Sequence, residues 1–391
     1  MTMLLTRRQA RSPELAPCRV PGSGAVSAGA ALIIDPAAVG ANTRLFAART
    51  RGAVMAVVKA DGFGHGAELV AAAALANGAT WLGVTGLPEA AALRRAGFQA
   101  PMLSWLNPVG ADFGGAIGLD VDVAVPGLEH LTALAGAAAA AGQPARVHLH
   151  ADCGMARDGA PAWLWRPLCQ RARALEREGL IRVAGVMGHL GCADDPEDPC
   201  NERGRARFDW AVRAARESGL RPAHRHLAAT AATLTDRRAH HTMSRVGAGL
   251  VGIGPGEPGL RFAMTLRAPV IAVREASAGT SVGYGHAWRA PHATQLALLG
   301  VGYADGVPRT AGDDAGVQLN GTRCRIVGRV SMDQTVVDLG PATARPGDQA
   351  TVFGPGDGGE PTPADWARWT GTIPHEIITG IGTRVNRVVA S

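Results

Sequence analysis

From residue 53 the chain repeats one unit: a short apolar run, a glycine or polar turn, then a helical stretch. The runs read AVMAVVK, TWLGVTG, APMLSWL, DVDVAVP, ARVHLHAD, IRVAGVMGHL, AHRHLAA and RVGAGLVG. Stretches of helical period, such as AELVAAAALANGA, PEAAALRRAG, GLEHLTALAG and RARFDWAVRAARESG, lie between them. Strands buried on both faces read as continuous apolar runs, and parallel neighbours need crossover connections, usually helices. Eight such units over roughly 200 residues predict an α/β fold, a (β/α)8 TIM-like barrel with its active site at the C-terminal ends of the strands. An open doubly wound sheet is the alternative, but no Gly-x-Gly-x-x-Gly follows the first strand.

After about residue 262 the pattern changes. TLRAPVIAVREAS, TQLALLGVGYADG, VQLNGTRCRIVGRVSMDQTVVDL and DQATVFG read as strands without helices between them, with Asn320-Gly321 as a hairpin turn signal. A late helix is expected near PADWARWTG, and AALIID near residue 31 is a strand that could pair with this mostly β domain. The expected division is therefore a barrel over residues 29–262 and a β domain over 263–391. Residues 1–28 are rich in Pro, Arg and Ser without periodicity, and are expected to be a disordered leader or tail. No apolar stretch is long enough to span a membrane.

The net charge of +6 comes from arginines spread along the chain, with no basic block interleaved with aromatics, so no nucleic-acid partner is expected. An anionic ligand would be tolerated. Six cysteines (Cys18, Cys153, Cys169, Cys192, Cys200 and Cys324) show no paired zinc spacing, and reduced thiols in a cytoplasmic protein are the expectation. LAGAAAAAGQ reads as an alanine-rich helix with a glycine stop.

Two scarcities single out residues. Lysine and arginine together number 39, yet Lys59, at the end of the first barrel strand, is the only lysine. Arginine cannot deprotonate near neutral pH, so a lone lysine kept at a strand terminus points to amine chemistry. Tyrosine occurs only twice, as Tyr284 and Tyr303, and each hydroxyl is either functional or merely satisfied at a core edge. His150, His189 and His226 fall at or near strand ends, and together they read as a polar site rather than a metal centre, because no carboxylate or cysteine keeps ligand spacing with them. Arg245 is expected to open the eighth strand, and the small residues Gly247, Ala248 and Gly249 after it would let backbone amides approach a phosphate.

AVVKADGFGHG resembles the pyridoxal-phosphate lysine motif of the alanine racemases. The resemblance continues through HADCGMARDG, GVMGHLGCADD, HLAATAATL, RVGAGLVGIGP, SVGYGHAW, GVGYADGVPR, GRVSMDQTVVDL and TIPHEIITGIGTRVNR, from about residue 31 to 388. It implies a barrel followed by a β domain, pyridoxal 5'-phosphate carried on Lys59, and interconversion of L- and D-amino acids, alanine first, by two bases. Lys59 and Tyr284 would be those bases, with Tyr284 delivered by a partner subunit, which implies a homodimer with shared sites. By the same resemblance, Arg157 would touch the cofactor and the substrate. Arg245 would face the ring nitrogen with His226 and His189 behind it. Thr230, Gly247 and Ala248 would bind the phosphate, while Tyr303, Met332 and Asp333 would line the substrate side.

The chain also departs from that family. Phe63 and Thr383 stand where tyrosines are usual, and His150 stands where many members carry a carbamylated lysine, so Arg157 is expected to be held less firmly. Ala229 replaces a frequent asparagine, and His375 replaces a tyrosine. Weaker cofactor retention, or a substrate other than alanine such as serine, is the corresponding expectation. A barrel-type decarboxylase would need a Cys-Asp-Ser-like motif that Cys324 lacks. A non-catalytic cofactor carrier would resemble the barrel alone.

Overall fold

The computed structural model describes residues 29–390; the expected leader or tail and Cys18 lie outside the described residues. The first strand, β1 (Ala31–Ile34), is followed by a helix over Pro36–Arg49, whose N-terminus is capped by Asp35 accepting from Ala37 N and Ala38 N. The eight apolar runs then appear as β2 (Ala53–Val57), β3 (Trp81–Val84), β4 (Met102–Ser104), β5 (Val121–Val125), β6 (Ala145–His150), β7 (Ile181–Met187), β8 (His224–His226) and β9 (Met243–Val246). They form one parallel sheet in the order β9-β2-β3-β4-β5-β6-β7-β8.

Between β8 and β9 the ladder is replaced by single backbone bonds, Thr242 N to Arg225 O at 3.1 Å and Arg245 N to Ala228 O at 3.0 Å, so the barrel is nearly closed. The last strand begins earlier than the sequence pattern indicates. Arg245 is its third residue rather than its first, and Ala248–Val251 is a 3-10 turn. Glycines at 247 and 249 lower the strand propensity there and release the backbone into that turn.

The alanine-rich tract is a helix over Leu128–Ala141, stopped by Gly142 in the left-handed region at φ 69°. Inward positions on several strands are apolar, but Asp122, His148 and His226 are also buried among them. The barrel therefore carries a polar layer inside.

Beyond the barrel, β10 (Met264–Ala276), β11 (Ser281–Val282), β12 (Trp288–Arg289), β13 (Thr294–Leu299), β14 (Gly316–Leu319), β15 (Thr322–Ile326), β16 (Thr335–Asp338), β17 (Gln349–Phe353) and β18 (Asn386–Val389) follow. The long β10 pairs with β17 along one part and β13 along another, and β13-β16-β15-β14-β17 completes the circuit. Asn320 and Gly321 turn the β14–β15 hairpin with φ of 48° and 78°, the positive values that its short loop demands. β1 lies between β10 and β18, so the N-terminal strand is part of the C-terminal sheet. The late helix occupies Pro363–Thr370, and a second short helix, Pro374–Thr379, escaped the sequence reading. Among the described residues no helix is long and apolar enough to cross a membrane.

The cysteine expectation needs correction. Cys192 and Cys200 are joined as a disulfide, whereas Cys153, Cys169 and Cys324 are buried free thiols. Eight residues of separation carry no signal of pairing in sequence; the β7–helix loop folding back on itself brings the two together.

Candidate active site

Lys59 leaves the end of β2 into a left-handed stretch. Ala60, Asp61, Gly62, Phe63 and Gly64 all have positive φ, between 51° and 80°. Three of these carry side chains, and the left-handed region costs an L-residue roughly 1–2 kcal/mol. Hydrogen bonds hold the turn. Glu89 Oε1 accepts from Ala60 N at 2.8 Å, its Oε2 accepts from Thr85 N at 2.8 Å, and Asp61 Oδ1 accepts from Ala67 N at 2.8 Å. His65 is buried and donates from Nδ1 to Phe63 O at 2.9 Å. The Lys59 amine is half-buried and its pKa is lowered, first by desolvation and then by the Arg157 charge; Glu89 opposes and Arg245 adds to the lowering. A lowered amine pKa is what a lysine needs to act as nucleophile or base near neutrality.

Arg245 is buried on the neighbouring strand β9, close enough to Lys59 to influence its amine. Its Nη1 donates to His226 O at 2.7 Å and His226 Nδ1 at 3.1 Å, and its Nη2 donates to Gly188 O at 2.7 Å and His189 Nδ1 at 3.1 Å. Because a guanidinium only donates, both histidines must accept at Nδ1 and are neutral there. His226 Nε2–H then donates to His148 Nδ1 at 2.8 Å, and His148 Nε2–H donates to Asp122 Oδ2 at 3.1 Å. Arg146 Nε closes the far end on Asp122 Oδ1 at 2.6 Å. The chain has one direction throughout, and burial pushes the pKa of His226 well down and that of His189 down to about 3. Burial lowers Arg245 to about 10, which still leaves it charged at neutral pH. Its Nε–H takes no part in these bonds and is the donor left for a ligand.

The sequence reading brought out His226, His189 and Arg245 but not His148 or Asp122. The alternation in VHLH put His148 on the inward face, and DVDVAVP placed an acid inside a buried strand; either was a usable signal.

Thr230 and the glycine turn after β9, expected at the phosphate end, are brought together. Thr230 Oγ1 accepts from Gly247 N at 3.3 Å and Gly249 N at 3.1 Å, which draws the β9 turn to the start of the helix over Thr230–Thr235. Gly247 is required by contact: a Cβ there would lie 2.8 Å from the Phe63 ring. Phe63 therefore sits against this turn but offers it no hydroxyl, and Ala229 leaves the helix start without a side-chain cap. His375 stacks obliquely on Phe63, with ring centroids 6.3 Å apart. Thr383 is exposed.

Other predicted residues stand apart. Arg157 is exposed on the loop after β6 and makes no hydrogen bond or ion pair among the described residues, although it lies close enough to Lys59 and His189 to lower both. His150 does not hold Arg157. It faces Asp158, with Nδ1 3.3 Å from Oδ2 but off the hydrogen-bonding direction. Tyr284 lies in the β domain, is 68% exposed, and makes no hydrogen bond or ring contact with the barrel residues among the described residues. Tyr303 and Met332 are exposed in the same domain, where Ala304 N donates to Met332 O at 2.9 Å. Asp333 pairs with Arg384 at 2.6 Å, and Arg384 also reaches Asp305 at 2.8 Å.

Residues 34–255 match the family model described as alanine racemase, N-terminal domain, and residues 263–389 match alanine racemase, C-terminal domain. The chain belongs to the alanine racemase family. It is 46% identical over 363 residues to the alanine racemase of Frankia casuarinae, covering 91% of this chain and 94% of that one. Among solved structures, the alanine racemase from D-cycloserine-producing Streptomyces lavendulae superposes with a TM-score of 0.91 at 42% identity, covering 93% of this chain and 97% of that one. The Bartonella henselae alanine racemase, described with covalently bound pyridoxal phosphate, shares the fold with a TM-score of 0.83 at 24% identity, covering 93% of this chain and 100% of that one.

The alanine racemase fold thus accounts for the barrel and the β domain alike. The residues present fit pyridoxal phosphate: an amine of lowered pKa, an uncommitted Arg245 Nε–H for a ring nitrogen, and a glycine turn too tight for a Cβ beside Thr230.

Proposed function

We propose that this member of the alanine racemase family interconverts L- and D-alanine with pyridoxal 5'-phosphate, using Lys59 and Tyr284 as its two bases. The observation that carries the reading is Lys59: the only amine side chain in the sequence, at a barrel strand end, half-buried, and lowered in pKa by burial and by the nearby Arg157 and Arg245 charges. When bound, the cofactor supplies an electron sink for the pair left behind as the Cα proton departs. Lys59 Nζ takes or returns that proton on one face of the substrate, and a second base must serve the other face for inversion. Tyr284 of the partner subunit is that second base, which makes the working enzyme a homodimer. The exposure of Tyr284, Tyr303 and Met332 on one domain supports a partner covering them.

Arg157 and the Lys59 amine orient the substrate carboxylate and Cα, with Tyr303, Met332 and Asp333 shaping the partner side. Thr230, Gly247 and Ala248 hold the phosphate. Arg245 keeps its own proton, because burial lowers it only to about 10, so it donates a hydrogen bond to the ring without protonating it. A cytoplasmic location belongs to the same proposal.

The test is optical. Purified protein with added cofactor should erase the optical purity of L-alanine, and Lys59→Ala should lose both that activity and the absorbance of covalently held cofactor. A panel of amino acids in which none loses optical purity would sink the reading. Faster turnover of serine than of alanine would reassign the substrate.

A further inference from the structure

We propose that Cys192 and Cys200 form a reversible redox-modification site on the catalytic face of the barrel, whose disulfide braces the loops that carry His189 and Arg157. The proposal rests on the racemase reading above for its effect on substrate. The disulfide lies in the loop that follows β7, at the strand ends where a barrel builds its active site. Cys192 comes three residues after His189, which accepts from Arg245. A Cβ added at Gly191, next to Cys192, would lie 3.7 Å from the Met155 side chain, and Met155 stands two residues before Arg157. On the other side, Asp194 is close enough to His375 to influence it, and His375 feels Lys59 as well. One short segment therefore adjoins His189, runs beside the loop of Met155 and Arg157, and shares with Lys59 an influence on His375.

Hydrogen bonds keep the two ends of the segment near one another when the disulfide opens, while the disulfide fixes the finer position of the loop. Asn201 Nδ2 donates to Cys192 O at 3.1 Å and Asp195 O at 2.8 Å, and Asp198 Oδ1 accepts from Cys200 N at 2.7 Å. The sulfurs are thus held near one another whether bonded or not, which is the condition for reversible closure. Both cysteines are only half-buried, so a small thiol reagent can reach them. The other described thiols are buried, with pKa values pushed up to about 12 for Cys153 and Cys169 and about 11 for Cys324, and are inert by comparison. Disulfides of reducing compartments are usually transient and redox-sensing.

The oxidant is a low-molecular-weight disulfide, RSSR. One cysteine thiolate attacks it and expels RS⁻, leaving a mixed disulfide; the second thiolate attacks the protein sulfur of that bond and expels the other RS⁻. The two protons shed by the cysteines go to the two RS⁻, so two thiols and RSSR become one protein disulfide and two RSH. Asp194, Asp195, Glu197 and Asp198 all lie between the two cysteines, so a cationic disulfide such as cystamine should react faster than an anionic one.

The experiment equilibrates the full chain with cystamine or with its reduced form, cysteamine, removes either reagent by gel filtration, and then loads the protein with cofactor. The order matters because residual cysteamine would trap the cofactor's aldehyde as a thiazolidine. Alkylation followed by mass measurement reads the state of Cys192 and Cys200. We expect both to resist alkylation after cystamine and both to be alkylated after cysteamine. We expect KM for L-alanine to rise roughly three- to tenfold on reduction, with kcat changed by less than about twofold, because the loops misplace Arg157 rather than Lys59. The Cys192→Ser/Cys200→Ser variant should show the reduced KM after either treatment. Full alkylation after cystamine, or one KM in both states, would overturn the proposal. So would Zn²⁺ bound one-to-one by the reduced protein and blocking oxidation, since the two sulfurs and Asp198 also lie within 4.8 Å of one another and would then be a metal site. An alkylation pattern that switches while neither state racemises any amino acid would sink the racemase reading and leave the thiol pair as a redox site.

Discussion

Lys59 is followed by backbone that its neighbours would not choose. Ala60, Asp61 and Phe63 hold positive φ against their side chains, and Glu89 takes up the N–H groups of Ala60, Thr85 and Gly86. Strain of this kind persists where surrounding bonds over-determine it. Glu89→Gln keeps one acceptor oxygen but turns an NH2 toward either the Ala60 N–H or the Thr85 and Gly86 N–H groups. It is expected to cost about 1–3 kcal/mol of stability and to lower kcat. Urea unfolding and steady-state rates check this, and a variant equal to wild type in both would show that the turn does not depend on Glu89. The scarcity of lysine and tyrosine was legible residue by residue. The left-handed run was not, because only Gly62 and Gly64 announce positive φ in sequence.

At the level of elements, β5, β6, β8 and β9 each contribute one member of the Asp122–His148–His226–Arg245 chain. The partners are 26 and 78 residues apart for the first two links, so barrel register, not local pattern, joins them. His148→Leu would leave Asp122 short of a donor and His226 Nε2–H without an acceptor, both fully buried. A loss of at least about 2 kcal/mol is expected, measurable by denaturant unfolding. Stability unchanged by that substitution would mean that the chain is incidental. The apolar runs themselves were read correctly as strands because a doubly covered parallel strand leaves that signature. The misjudged start of β9 and the missed helix at Pro374–Thr379 are short elements whose limits are set by contacts rather than by period.

For the molecule as a whole, the two-base reading, with Tyr284 exposed on the β domain, predicts sites completed across two subunits. Lys59→Ala and Tyr284→Phe chains should each be inactive alone, while dimers formed by mixing them should regain activity, since one of two sites then has both bases. No recovery on co-expression would contradict a shared site. Acid stability follows from the buried histidines. Burial pushes His65 down to about 4 and His189 to about 3, from 6.5 in an unfolded chain. Across that interval the unfolded chain binds protons that the native one refuses, so stability is full above about pH 7 and falls as the pH drops through 6.5 toward 4. Melting temperature measured between pH 7.5 and pH 4.5 (assay values of about the same span as the titration) should decline steadily, and a flat profile would argue against neutral buried histidines.

Period and composition were enough to name the barrel, the β domain, the Asn320-Gly321 hairpin and the lone amine, since each depends on neighbours within a few residues or on the absence of a residue type. The disulfide of Cys192 with Cys200, the pairing of His150 with Asp158 instead of Arg157, and the polar layer around Asp122 arose only on folding. Those contacts depend on where strand ends and loops meet in space. Hydrogen-bond direction and burial are properties of that meeting and leave no trace in the order of residues.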